Sequence, residues 1–100
     1  MSKAYIVGHI TITHPEGYAQ YARQVPDTIH RYGGRYMVRG GASTVLEGTP
    51  AGERHVVLEF PSRHAAHTWY QSPEYQAIIS LRQDNATGQL LLVDGYTDSL

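Results

Sequence analysis

The apolar residues of this chain switch repeatedly between two periods, and the order of the switches restricts the fold more than any other feature. From Lys3 to Thr13, Ala4, Ile6, Gly8, Ile10 and Ile12 alternate with Tyr5, Val7, His9 and Thr11. A period of two with β-branched residues reads as a half-buried strand. Beyond His14-Pro15-Glu16, Tyr18, Tyr21, Val25, Ile29 and Tyr32 recur at spacings of three and four, which places them on one helical face. Pro15 suits the first helical position, and Glu16 suits the positive end of the helix dipole. Gly33 is placed to end the helix in the left-handed conformation. Pro26 lies inside the pattern and carries no N–H, so a kink or break is expected there.

Period two returns at Arg35 to Arg39, between Gly33-Gly34 and Gly40-Gly41. Val45-Leu46-Glu47 reads as a short extended continuation, and Gly48 to Glu53 as a turn. From His55 to Phe60, Val56, Leu58 and Phe60 share a face opposite His55, Val57 and Glu59. Ser62 can cap the next helix, whose apolar side is Ala65, Ala66, Trp69 and Tyr70. Ser72-Pro73-Glu74 repeats the start signal and opens a further helix carrying Tyr75, Ile78, Ile79 and Arg82. Asn85 to Gly88 reads as a loop, Gln89 to Tyr96 as the last strand, and Thr97 to Leu100 as a tail. The spacing therefore predicts β-α-β-β-α-β over residues 1–100, a single domain. That is an α+β, ferredoxin-like split arrangement: one antiparallel sheet with helices on one face.

Helices on one side leave the other sheet face bare. It carries Tyr5, Val7, His9, Val57 and Glu59, with Leu91 and Val93 joining if the last strand is in phase. Contiguous apolar patches of this kind are rare on monomers, so a homodimer in which two sheets meet is expected.

Composition removes several function classes. Eight Lys+Arg against nine Asp+Glu leave a net charge of -1, without the basic field of a nucleic-acid binder. No apolar run approaches the roughly 20 residues that span a bilayer. The chain enters a strand directly after Lys3, so no signal peptide and a cytoplasmic location are expected. The absence of cysteine removes disulfides, thiolate chemistry and Cys-zinc sites.

Three stretches occur together: Tyr32-Gly33-Gly34-Arg35-Tyr36-Met37-Val38-Arg39-Gly40-Gly41, Glu59-Phe60-Pro61-Ser62, and Trp69-Tyr70-Gln71-Ser72-Pro73-Glu74-Tyr75-Gln76. Together they resemble the uncharacterised, mainly bacterial family named domain of unknown function 1330, along nearly the whole chain. The resemblance implies a dimeric α+β barrel, a group that also includes cofactor-independent monooxygenases. It implies no reaction. His14 stands where family members often carry Asp, which implies weaker helix capping here.

Several residues could carry chemistry. Six histidines invite a metal, but His64 and His67 lack a third ligand in any metal-binding pattern, so no metal site is expected. His30 near a helix end suits the dipole. His9 and Glu59, on adjacent strands of the bare face, could form a general-base pair or a polar network across a dimer interface. Arg39, followed by two glycines, could hold a carboxylate through its fork or pair with an acidic neighbour; Arg35 competes for the same role. Tyr21, Trp69, Tyr70 and Tyr75 could wall a small-molecule pocket or simply form the core, and Arg82 can reach the same region. Two readings stay open. One is a homodimer that binds or acts on a small anionic or aromatic organic molecule without a metal or nucleotide cofactor. The other is a non-catalytic ligand-binding or stress-associated dimer.

Overall fold

β1 (Ala4–Ile12) buries Ala4, Ile6, Gly8 and Ile10 and leaves Tyr5, Val7 and His9 half-buried, as its alternation requires. In the computed structural model, which describes residues 2–97, it is one of the two inner strands of a four-stranded antiparallel sheet. The remaining elements are α1 (Pro15–Arg31), β2 (Arg35–Arg39), β3 (Arg54–Phe60), α2 (Arg63–Gln71), α3 (Pro73–Gln76), α4 (Ile79–Gln83) and β4 (Ala86–Asp94). The strand order is β2-β3-β1-β4, the ferredoxin-like order. The tail read beyond Thr97 lies outside the described residues.

The core lies between this sheet and the helices. Ile6, Ile10, Leu58 and Phe60 from the sheet meet Tyr18, Tyr21, Val25 and Ile29 of α1, Ala66 and Trp69 of α2, and Tyr75 of α3. The Ser62 side chain accepts from the Ala65 N–H and the Ser72 side chain from the Tyr75 N–H, so both serine caps form. His14 makes no side-chain cap; the Asn85 carbonyl instead accepts the Thr13 and His14 N–H groups. Gly33 has φ +82, as the helix stop needs.

Four local expectations need correction. Pro26 does not break α1, which runs from Pro15 to Arg31. A proline at 26 takes the donor from the Ala22 carbonyl, and Arg39 Nη2 donates to that oxygen at 2.6 Å. Val45-Leu46-Glu47 forms no strand. Gly40 turns the chain out of β2 at φ +65, and Val45 and Leu46 stay exposed. The helix opened by Pro73 is two short pieces, α3 and α4, joined through Ala77 and Ile78. The last strand starts at Ala86, three residues before the expected Gln89. Gly88 marks no loop: it pairs with Ile10 inside β4, and any side chain there would run into the His9 carbonyl.

Candidate functional site

The two faces of the sheet offer two different sites. On the bare face, the register sets three rows across the strands. Arg35, Glu59, Tyr5 and Val93 form one; Val38, Val57, Val7 and Leu91 form the next; His55, His9 and Gln89 form the third. A bulge at Met37, between Tyr36 and Val38, brings Val38 into the middle row.

Glu59 is held from three sides. Arg35 Nε donates to Oε1 at 2.9 Å, the Tyr5 hydroxyl donates to Oε2 at 3.0 Å, and Lys3 Nζ lies 3.6 Å from Oε1. The Arg35 hydrogen bond, with the Tyr5 and Lys3 contributions, holds the Glu59 carboxyl below the usual carboxylate range against the opposing effect of desolvation. The same carboxylate pushes the Tyr5 phenol up. His9 sits at the other end of the face, where its Nδ1 meets His55 Nδ1 at 3.0 Å with the rings edge to face. Tyr5 is the register partner of Glu59 and His55 that of His9. His9 and Glu59 are therefore four strand positions apart, about 13 Å. They share a face without forming a pair, because period two fixes the face a residue points to and not its partner across the strands.

Glu59 yields a pH prediction. A carboxyl whose folded pKa is depressed stabilises the fold above its ordinary value and loses that contribution as pH falls through the depressed value. The melting-temperature gap between wild type and Glu59→Gln should therefore be widest near neutrality and shrink below pH 4.5, the ordinary value. Melting curves that stay parallel from pH 7 to pH 3 would show that the Arg35 contact contributes no pH-dependent stability.

The helix side of the sheet holds a cavity of about 30 Å³ with apolar walls. Tyr18, Tyr21 and Val25 of α1, Ile6 and Ile10 of β1, Leu58 of β3 and Trp69 of α2 line it, with Tyr36, Arg39 and Arg54 also on its boundary. Of the sequence candidates, Arg39, Tyr21 and Trp69 thus come together here. Tyr75 and Arg82 lie behind this wall: the Tyr75 hydroxyl meets the Tyr21 hydroxyl at 3.0 Å, and Arg82 Nε donates to Tyr75 at 3.3 Å. Burial pushes the Tyr21 phenol far above its ordinary value, so it remains protonated and cannot serve as a base at neutral pH. Trp69 is 1% exposed and donates from Nε1 to Thr28 Oγ1 at 3.0 Å.

Among the described residues, Arg39 has no acidic neighbour within ion-pair distance. Its guanidinium lies over the Tyr36 ring at 4.7 Å and donates to the Ala22 carbonyl. Arg35, its competitor, is taken by Glu59 on the opposite face. Arg54, which the sequence reading passed over, lies 5.6 Å from the Tyr18 ring centre. The signal was available: Arg54 is in phase with Val56, Leu58 and Phe60 and so points to the helix side. His64 lies near Thr68 on α2, and among the described residues no cluster of three or more His, Cys, Asp or Glu is placed to hold a metal. No helix among them is long and apolar enough to cross a membrane.

Comparison with known proteins agrees with this architecture. Residues 3–96 match the family profile described as Domain of unknown function (DUF1330). A protein of unknown function from Rhodopseudomonas palustris is 18% identical with a TM-score of 0.75, over 96% of this chain and 84% of that one. SnoaB, a cofactor-independent oxygenase from Streptomyces nogalater, is 14% identical with a TM-score of 0.63, over 99% and 98% of the two chains. An antibiotic biosynthesis monooxygenase is 13% identical with a TM-score of 0.54, over 97% and 98%. No significant match is found among curated proteins. At these identities the likeness carries the fold and not the chemistry.

Proposed function

The chain belongs to the family of the domain of unknown function DUF1330, and from that premise we propose that it is a cytoplasmic homodimer that binds a small anionic organic molecule in the cavity beneath its sheet. The observation that carries this reading is the Arg39 guanidinium, on the boundary of an apolar cavity and without a carboxylate partner among the described residues. Apolar walls with a few placed polar groups are the usual make-up of a small-molecule site. The reading needs no metal or nucleotide.

The dimer part rests on the bare face. Its middle row, Val38, Val57, Val7 and Leu91, is apolar from edge to edge, and Val38 and Leu91 are substantially exposed. Four strands of about seven residues span roughly 19 by 23 Å, about 440 Å² of projected area, which supplies the centre of an interface rather than the whole of one of ordinary size. Polar rows flank the stripe and would set the rim.

A second reading, turnover of the bound molecule, takes its support from the fold shared with an enzyme described as a cofactor-independent oxygenase. Against it stand the separation of His9 from Glu59 and the protonated state of Tyr21. Binding without turnover is therefore the preferred reading. Sedimentation at micromolar concentration should give twice the mass of 11.1 kDa, and a panel of organic acids should contain at least one that raises the melting temperature. A monomer throughout that range would end the dimer proposal, and a panel without effect would end the ligand proposal.

A further inference from the structure

We infer that the molecule held in the cavity is a short-chain monocarboxylate, gripped between the guanidinium groups of Arg54 and Arg39. The inference rests on the binding reading above and adds a second cation and a ligand class to it.

The register places the two arginines together. Arg39 pairs with Val56, and Arg54 lies two residues before Val56 on the same face of β3. Diagonal neighbours of this kind stand roughly 7–8 Å apart, within the joint reach of two arginine side chains. Both point to the helix side, each over a tyrosine ring: Arg39 over Tyr36 and Arg54 over Tyr18. Each guanidinium thus rests against an aromatic ring, and one Arg39 nitrogen is engaged by the Ala22 carbonyl.

Among the described residues, neither cation has a carboxylate within ion-pair distance. The carboxylates in ion pairs among the described residues are Glu59, Glu74 and Asp94, and their partners are Lys3, Arg35, Arg31 and Arg63. Arg54 Nε is buried and meets no acceptor. Buried donors are almost always paired in native proteins, so a donor without a protein acceptor in a cavity wall is available to a ligand's oxygen. Gly40 makes room for this arrangement. It has φ +65, its N–H donates to the His55 carbonyl, and a side chain there would run into Arg54 Nη1. The backbone at the end of β2 thus leaves the Arg54 guanidinium unobstructed.

Two features select the ligand. Planar forks suit the planar carboxylate, and apolar walls disfavour a doubly charged, strongly hydrated phosphate. The volume limits the tail. An engineered cavity of about 150 Å³ is what takes up benzene. A cavity of about 30 Å³ accepts only a short alkyl tail and excludes an aromatic ring unless the wall moves.

Calorimetry and melting curves with propionate, butyrate, butyramide, benzoate and inorganic phosphate test this on wild type, Arg54→Gln and Arg54→Lys. Propionate or butyrate should bind wild type and raise its melting temperature, and butyramide should not. Arg54→Gln should weaken the acid by about tenfold or more, and Arg54→Lys should recover part of the loss. Without ligand, Arg54→Gln should melt no lower than wild type, because the substitution removes an unpaired cation. A large drop in the ligand-free melting temperature of both variants would overturn the inference in favour of a structural Arg54. Equal binding of butyrate by wild type and Arg54→Gln would overturn the two-arginine grip and leave the cavity as the binding site. Phosphate or benzoate binding as tightly as butyrate would overturn the ligand class. No binding of any acid by wild type would remove the underlying binding proposal as well.

Discussion

Trp69→Ala should lower the stability of the fold by about 3–5 kcal/mol, the range for removing a large buried aromatic side chain. The indole is 1% exposed, and its ring centre lies 4.2 Å from that of Tyr75 and 5.5 Å from that of Phe60, both fully buried. It also joins α2 to α1, because its Nε1 donates to Thr28 Oγ1, whose own hydrogen goes to the Val25 carbonyl at 2.8 Å. Alanine would leave a void in the centre of the core and an unused acceptor at Thr28. Domains of this size are stable by about 5–15 kcal/mol, so the change should remove a large part of the total. Trp69→Phe should keep most of the packing and lose the hydrogen bond, at a cost of about 1 kcal/mol plus the reduced volume. Urea unfolding followed by far-UV circular dichroism measures both. A Trp69→Ala midpoint close to wild type would show that this helix–sheet junction does not depend on the indole.

Leu91→Asp should turn the proposed homodimer into a monomer that keeps its fold. Leu91 is 50% exposed on one chain and sits opposite Val7 at the end of the apolar row. On an isolated subunit the aspartate stays solvated and should change stability little. Facing a second sheet, two such carboxylates would be desolvated without partners, a cost of several kcal/mol per buried charge. Sedimentation should show the wild-type dimer and the monomeric variant at the same micromolar concentration, with matching circular dichroism spectra. Val38→Asp, on β2 at the other end of the row, should act in the same direction. A variant that stays dimeric would move the interface away from the sheet face. An unfolded variant would show that Leu91 is needed within one subunit, contrary to its exposure.

The strands and helices were legible where one local preference acted alone. The alternation at Ala4–Ile12 and the face shared by Tyr18, Tyr21, Val25 and Ile29 depend only on which side of an element meets the core. Ser62 and Ser72 were legible as caps because the serine oxygen and the N–H that donates to it lie three residues apart in the chain. The errors came where a distant residue altered the local outcome. Pro26 would disrupt an isolated helix, but Arg39, thirteen positions on, supplies the donor that the Ala22 carbonyl lacks. Gly88 looked like a turn because its need for glycine comes from the His9 carbonyl on the neighbouring strand.

The candidate site divides along the same line. Residue types and strand phase, which are properties of the sequence, placed His9 and Glu59 on one face and Arg39, Tyr21 and Trp69 in the chain order that reaches a common core. Register, which belongs to the assembled sheet, then separated His9 from Glu59 and put His55 beside the one and Arg35 beside the other. The pairing of strands likewise brought Arg54 next to Arg39, fifteen positions away in the chain, with no signal in the intervening loop. Periodicity reports the direction of a side chain, because the backbone repeat fixes direction within a few residues. Partners across strands depend on how far one strand slides along another, and only the simultaneous packing of Phe60, Trp69, Ile29 and the rest of the core holds that slide in place.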